Sequence, residues 1–182
     1  MRVFIGIGFD ENTKRYLKDI QRMVKNEAKS GNFTHYHNFH LTLRYIGEVN
    51  EKTLNQLKKI LDITARQTSP FFLKIGDISM FRKGNGFIVW SKIISEVNAL
   101  NNLYKKLESI LQTIGIDKEI RPYTPHITLG KKIRFVENVF SRNINPYTGI
   151  IHVESIILYL SHRVDGILTY TPLHIVKLKN KH

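Results

Sequence analysis

Two imidazoles and two hydroxyls recur in this chain at one spacing. The tetrad His40-Leu41-Thr42-Leu43 returns 86 residues later as His126-Ile127-Thr128-Leu129, each time inside a strand-like apolar run. In an extended chain the side-chain period is 2, so each His shares a face with its Thr, while Leu41/Leu43 and Ile127/Leu129 share the other. If the apolar faces are buried, two such strands side by side present a pair of acid-base groups and a pair of hydroxyl donors. That set suits proton transfer on a group with several oxygens to hold, and a phosphate is the natural guest. A lone His-x-Thr is more often a satisfied polar pair in a strand of good strand formers. The recurrence, with matching apolar partners, is what favours a paired site.

Other residues are candidates at one remove. Arg44 shares by alternation the face of His40 and Thr42, where it either reaches a cleft or sits as a solvated edge charge. Phe39 and Tyr123 lie close in sequence to the two histidines and are candidate substrate contacts, although aromatics beside strand starts more often fill cores. His35, His37 and His40 suggest a metal cluster, but His40 falls on the opposite strand parity unless a turn at Asn38 resets it, and no paired carboxylate lies nearby. No metal and no cofactor is expected. His152, His162, His174 and His182 have no patterned partners.

The elements that must position these groups follow from periodicity. Val3 to Phe9 reads as a strand, and Asp10 as the N-cap of a helix from Glu11 to Ala28 that ends at Ser30-Gly31-Asn32. Phe33 to Tyr36 reads as a short strand before the first tetrad, which runs on through Ile46 to Gly47. A second helix is expected over Glu51 to Ala65, with Leu54, Leu57, Ile60 and Leu61 inward. Phe71 to Phe81 and Gly86 to Ile94 read as strands joined by a turn, and Glu96 to Ile114 as a third helix. Arg121-Pro122-Tyr123-Thr124-Pro125 leads into the second tetrad. A short helical segment over Phe135 to Phe140 then precedes strands over Val153 to Leu160 and Leu168 to Leu178, hinged at Asp165-Gly166. Each tetrad lies downstream of a strand and a helix, so the chain reads as two similar halves. The expected class is α+β, with mostly antiparallel sheets around a central cleft and helices outside.

Length and charge bound the rest. The 182 residues, 42% hydrophobic, suffice for one substantial core and one domain spanning 1–182. Lys and Arg number 28 against 15 Asp and Glu, a formal +13 that attracts polyanions such as nucleic acid or an anionic membrane surface. Without cysteine, disulfides, thiolate nucleophiles and Cys-based zinc sites are excluded. The apolar stretch after Arg2 runs straight into Asp10-Glu11 with no small-residue cleavage site, and no run is long enough to span a membrane. The expectation is a cytoplasmic monomer.

Two longer runs carry a family resemblance. Asn38-Phe39-His40-Leu41-Thr42-Leu43-Arg44-Tyr45-Ile46-Gly47-Glu48-Val49 and Arg121-Pro122-Tyr123-Thr124-Pro125-His126-Ile127-Thr128-Leu129-Gly130 resemble the two signature motifs of the 2H phosphoesterases, in particular the RNA 2′,3′-cyclic phosphodiesterase branch, historically called 2′-5′ RNA ligase. The Arg2-Val3-Phe4-Ile5-Gly6 start, Val89-Trp90 and the Ser161…Gly166…Tyr170 hairpin are also similar to that branch. The resemblance implies a bilobal fold and metal-free hydrolysis of an RNA-terminal 2′,3′-cyclic phosphate to a 2′-phosphate. His40 is then the proton donor, His126 the proton acceptor, and Thr42 and Thr128 hold phosphoryl oxygens. One position departs: where the family commonly carries Arg, this chain has Lys131, which keeps the charge but not the planar two-pronged donor. Weak 2′-5′ ligation is compatible with the same groups. The rival readings are a non-catalytic RNA-binding module on this fold and a metal-dependent phosphohydrolase.

Overall fold

The computed structural model describes residues 1–94, 97–136 and 150–179. Two four-stranded antiparallel sheets make up most of it. In the first, the order is β10 (Ile167–Lys177), β9 (Ser155–Val164), β1 (Arg2–Gly8), β3 (His40–Glu48). In the second it is β2 (Ala28–Phe33), β7 (His126–Phe135), β6 (Gly86–Ile93), β5 (Ile75–Lys83). A small ladder joins β4 (Phe71–Leu73) to β8 (Ile151–Val153). The helices are α1 (Glu11–Glu27), α2 (Glu51–Arg66) and α3 (Val97–Gln112). This is the α+β bilobal architecture expected, with each tetrad opening the strand of its own lobe.

The helices form where their apolar residues recur at three and four, and their starts are capped. The Asp10 carboxylate accepts from the Thr13 N–H at 2.7 Å and the Asn50 side chain from the Thr53 N–H at 2.9 Å. Each such cap is worth about 1 kcal/mol. Leu17, Ile20 and Val24 of α1, Leu57, Ile60 and Leu61 of α2, and Leu100, Leu103, Leu107 and Leu111 of α3 join the inward residues of both sheets in one core. Leu41, Leu43, Ile127 and Leu129 lie in that core, all at most 3% exposed. The tetrads therefore bury their aliphatic faces and leave His and Thr on the other.

Several boundaries differ from the sequence expectation. Ser30-Gly31-Asn32 does not end a helix: Ala28 is already extended, and Ala28–Phe33 is an edge strand paired with β7. Gly31 is required there, because a Cβ would lie 2.3 Å from Ile133 Cδ1. Phe33 to Tyr36 is not a separate strand; Tyr36–Asn38 makes a 3-10 turn that resets the chain before His40. Phe71–Phe81 divides at Lys74, whose carbonyl accepts from Ile94 N–H at 3.0 Å, so that β4 and β5 serve different sheets. The strand expected over Val153 to Leu160 is likewise split at Glu154. The third helix stops at Gln112 and turns through Gly115 at φ 81°. Phe135 ends β7, and 137–140 of the expected short helical segment lies outside the described residues.

Candidate active site

His40 and His126 are each the first residue of their strand. Each is pinned in the same way. The Nδ1–H of His40 donates to the carbonyl of Asn38 at 2.6 Å, and the Nδ1–H of His126 donates to the carbonyl of Thr124 at 2.7 Å. A carbonyl only accepts, so the proton is fixed on Nδ1 and Nε2 is left as the nitrogen that exchanges protons. Thr42 stands 2.9 Å from His40 Nε2 through its hydroxyl. Across the cleft, the Tyr123 hydroxyl donates to the Thr42 carbonyl at 3.1 Å, tying the approach to β7 onto β3.

The two imidazoles have different surroundings. His40 is packed by Phe4 at 4.8 Å between ring centroids, by Tyr170 edge-on at 5.1 Å and by Tyr159 at 6.1 Å. This burial disfavours the charged ring and, with smaller contributions from Lys131 and His126, lowers its pKa to about 4 against the lift from the Asn38 carbonyl. Burial also pushes the Tyr159 hydroxyl up to about 12 and raises that of Tyr170. His126 is open on its cleft side and touches one ring, Trp90, at 5.5 Å.

Strand parity alone would send Lys131 toward the core with Leu129. It is exposed instead, because the strand bulges: Trp90 pairs with Thr128 and Val89 with Gly130, so two steps of β7 oppose one of β6 and the parity changes before Lys131; a second irregularity follows between Gly130 and Ile133, with Lys132 at φ 55°. The ammonium of Lys131 is thereby placed where it acts on His40.

The other sequence candidates divide. Phe39 is 2% exposed and belongs to the core, so its position beside His40 reflects packing and not a stacking platform. Arg44 does reach the cleft side, but its guanidinium is occupied: it meets Glu108 at 3.0 Å and Glu119 at 3.1 Å and donates to the Asp117 carbonyl. Its evident work is to hold the 117–121 segment against β3. Tyr123 stacks on Tyr104 at 4.1 Å with its hydroxyl pushed up by burial, and lines a pocket of about 310 Å³ with Thr42, Arg44, Tyr104, Glu119 and His126. His35 and His37 lie 5.5 Å apart, and no group of three or more metal-ligating side chains occurs among the described residues.

Sequence reasoning missed Asn38 as a positioning group. It is 6% exposed; its Nδ2 donates to the Leu168 carbonyl at 2.7 Å, its Oδ1 accepts from Tyr170 N–H at 3.1 Å, and its own carbonyl holds His40. A polar residue two positions before the catalytic candidate, beside a predicted turn, was the available signal. Phe4, Tyr159 and Tyr170 gave no local signal for packing on His40, because each reaches it from a different strand, the last two from beyond residue 150.

With this geometry in hand, the comparisons with known proteins fall into place. The family model for LigT-like phosphoesterases matches residues 7–90 and 93–169, and the chain belongs to that family of two-histidine phosphoesterases. It is 31% identical over 139 residues to the RNA 2′,3′-cyclic phosphodiesterase of Methanocaldococcus jannaschii, covering 76% of this chain and 75% of that protein. A second relative of that description, from Methanothermobacter thermautotrophicus, is 26% identical over 132 residues, or 72% of this chain and 71% of the relative. Among solved structures, E. coli LigT complexed with 3′-AMP superposes with a TM-score of 0.82 at 26% identity over 98% of each chain.

Proposed function

We propose that this phosphoesterase hydrolyses the 2′,3′-cyclic phosphate at an RNA end to a 2′-phosphomonoester, with His126 as proton acceptor and His40 as proton donor. In that reaction a water oxygen bonds to phosphorus as its proton passes to His126 Nε2. The bond from phosphorus to O3′ breaks on the opposite side, and O3′ takes a proton from His40. Thr42, Thr128 and Lys131 stabilise the charge that collects on the non-bridging oxygens. The observation that carries this reading is the repeated imidazole pinned through Nδ1, one on each lobe. The names of the relatives supply the substrate class.

Burial favours the neutral ring of His40. An anionic phosphate beside it opposes the charge of Lys131 and raises its proton affinity, so proton donation becomes tied to the substrate being bound. With a 5′-hydroxyl in place of water, the same groups would bond that oxygen to phosphorus as O3′ leaves, which is the weak 2′-5′ ligation. A cytoplasmic monomer acting on RNA ends remains our reading of the setting; among the described residues no helix is long and apolar enough to cross a membrane.

The test is incubation of a short RNA ending in a 2′,3′-cyclic phosphate with the protein in EDTA, followed by separation of the 2′- and 3′-phosphate isomers. The 2′ isomer is expected. The 3′ isomer would reverse the leaving oxygen, restoration of a lost rate by added zinc or manganese would replace the mechanism, and binding without turnover would leave an RNA-binding module.

A further inference from the structure

The second sheet carries more than His126 and Thr128 on its cleft face. Trp90 pairs across the ladder with Thr128, and Ser79 with Trp90, so the row containing the catalytic hydroxyl continues as Thr128, Trp90, Ser79. Two residues further along β6, Ile88 pairs with Phe81; two further still, Gly86 pairs with Lys83. Alternation puts Trp90, Ile88 and Gly86 on one face with Ser79, Phe81 and Lys83, opposite the buried Val89 and Ser91. Phe81 is 48% exposed and Lys83 is exposed. On β7, the bulge that turns Lys131 outward leaves Ile133 in the core and Arg134 on the cleft face, where its Nε–H donates to the Asn85 carbonyl at 3.2 Å.

The charge on this sheet is one-sided. By the same alternation the track face carries Lys83, Lys92, Lys131 and Arg134, while Arg82 lies over Phe87 on the other face; the four strands hold one carboxylate, Asp77. A sheet face with aromatic rings set among cations is a surface on which unpaired bases stack while the backbone phosphates are neutralised. From Trp90 to Gly86 the four-residue rise spans about 13 Å.

We propose that this face is a track for the single-stranded RNA leading to the cleaved end. The terminal cyclic phosphate sits between the two histidines, the adjoining chain runs along β6 toward the β5–β6 turn, a base stacks on Phe81, and Lys83 and Arg134 contact the linking phosphates. Lys131 stands at the junction of the track with the phosphate site. The inference rests on the RNA reading above and deepens it: the enzyme prefers an oligonucleotide end to a mononucleotide.

The test compares kcat/KM for a nucleoside 2′,3′-cyclic monophosphate and for a short unpaired oligoribonucleotide with the same end, using wild type, Phe81→Ala and Lys83→Glu. Both positions lie outside the catalytic set, and an unchanged melting temperature checks the fold. Each variant is expected to lose about fivefold or more on the oligonucleotide, as removal of one stacking ring or one phosphate contact does, with the mononucleotide rate unchanged and a shallower salt dependence in Lys83→Glu. Equal losses on both substrates, or none on the oligonucleotide, would overturn the track. Fluorescence anisotropy with a labelled oligonucleotide ending in a plain 3′-hydroxyl reads the same face without catalysis. Wild-type binding that both variants weaken supports the track even if no cyclic phosphate is opened, which would count against the proposed reaction alone. Duplex RNA competing as well as the single strand would overturn the stacking.

Discussion

His40 and His126 start equivalent strands, and both are oriented by a carbonyl two residues upstream, yet the protein supports them by unlike means. The His126 ring stands in an open cleft beside one indole, and its orienting carbonyl belongs to Thr124, just ahead of Pro125. The His40 ring is enclosed by Phe4, Tyr159 and Tyr170, and its orienting carbonyl belongs to a buried asparagine bonded twice to β10. A repeated sequence motif thus specifies where each imidazole lies and which nitrogen carries its fixed proton. The proton affinity of His40 is set by its walls, and these come from parts of the chain that do not repeat.

The comparison breaks most visibly at the histidines themselves. Replacing either with Ala should lower turnover by ~10² to 10⁴, the range for loss of a general acid or base, and the double variant should fall short of the product of the two. Single-turnover kinetics on the cyclic-phosphate RNA reads this, and a near-normal rate in one variant would remove that residue from the chemistry.

Next comes the proton linkage of the enclosed ring. A folded-state pKa of about 4 lies below the unfolded value near 6.5, so protons bind the unfolded chain first. The contribution is intact above about pH 6.5 and lost progressively as the pH falls to about 4, by at most about 3 kcal/mol. Thermal melts of wild type and His40→Gln across that window should converge at the acid end. Parallel curves would show that the cage does not discriminate against the charged ring.

The supports differ in kind, so they should differ in sensitivity. Asn38→Ala leaves the Leu168 carbonyl and the Tyr170 N–H without their partner and should cost about 1–3 kcal/mol. Thr124→Ala keeps the carbonyl that His126 uses and should change stability by less than about 0.5 kcal/mol. Chemical denaturation measures both, and equal effects would erase the proposed asymmetry.

A last effect concerns Lys131. Its removal should weaken kcat/KM by about tenfold through a lost charge-assisted contact, and should let the His40 pKa rise toward its ordinary value. Lys131→Arg should hold or improve the rate by restoring two-pronged donation. An alanine variant with unchanged kcat/KM would assign the lysine to the surface.

How much of this was legible in the residues depended on range. The tetrads, the three helices and the turn at Asp165-Gly166 follow from periods of 2 and 3.6 and from local capping, and the sequence places them well. Arg44 was correctly given the face of Thr42, but its carboxylate partners lie on α3 and the 117–121 segment, which alternation along β3 does not reach. Phe39 fills the core, the commoner fate of a ring beside a strand start, and its adjacency to the site could not say which wall it faces. The exposure of Lys131 depends on a bulge, which shows as a break in pairing and leaves no mark on hydrophobic pattern.

The order of strands also has a consequence for how the chain reaches this state. The path goes from the first sheet to the second between β1 and β2, returns at β3, crosses again at β5 and comes back only at β9. β1, an interior strand, has Ile5 opposite Arg44 on one side and opposite Leu158 on the other. Its second edge therefore stays bare until most of the polypeptide has been made, a pairing of high contact order that slows folding and exposes an unpaired apolar strand meanwhile. A nascent chain halted before β9 holds both tetrads in covalent form but lacks Tyr159 and Tyr170, and with them two of the three rings around His40. Assembly of the last hairpin is then the step at which the His40 imidazole acquires the packing against Tyr159 and Tyr170 that disfavours its charged form.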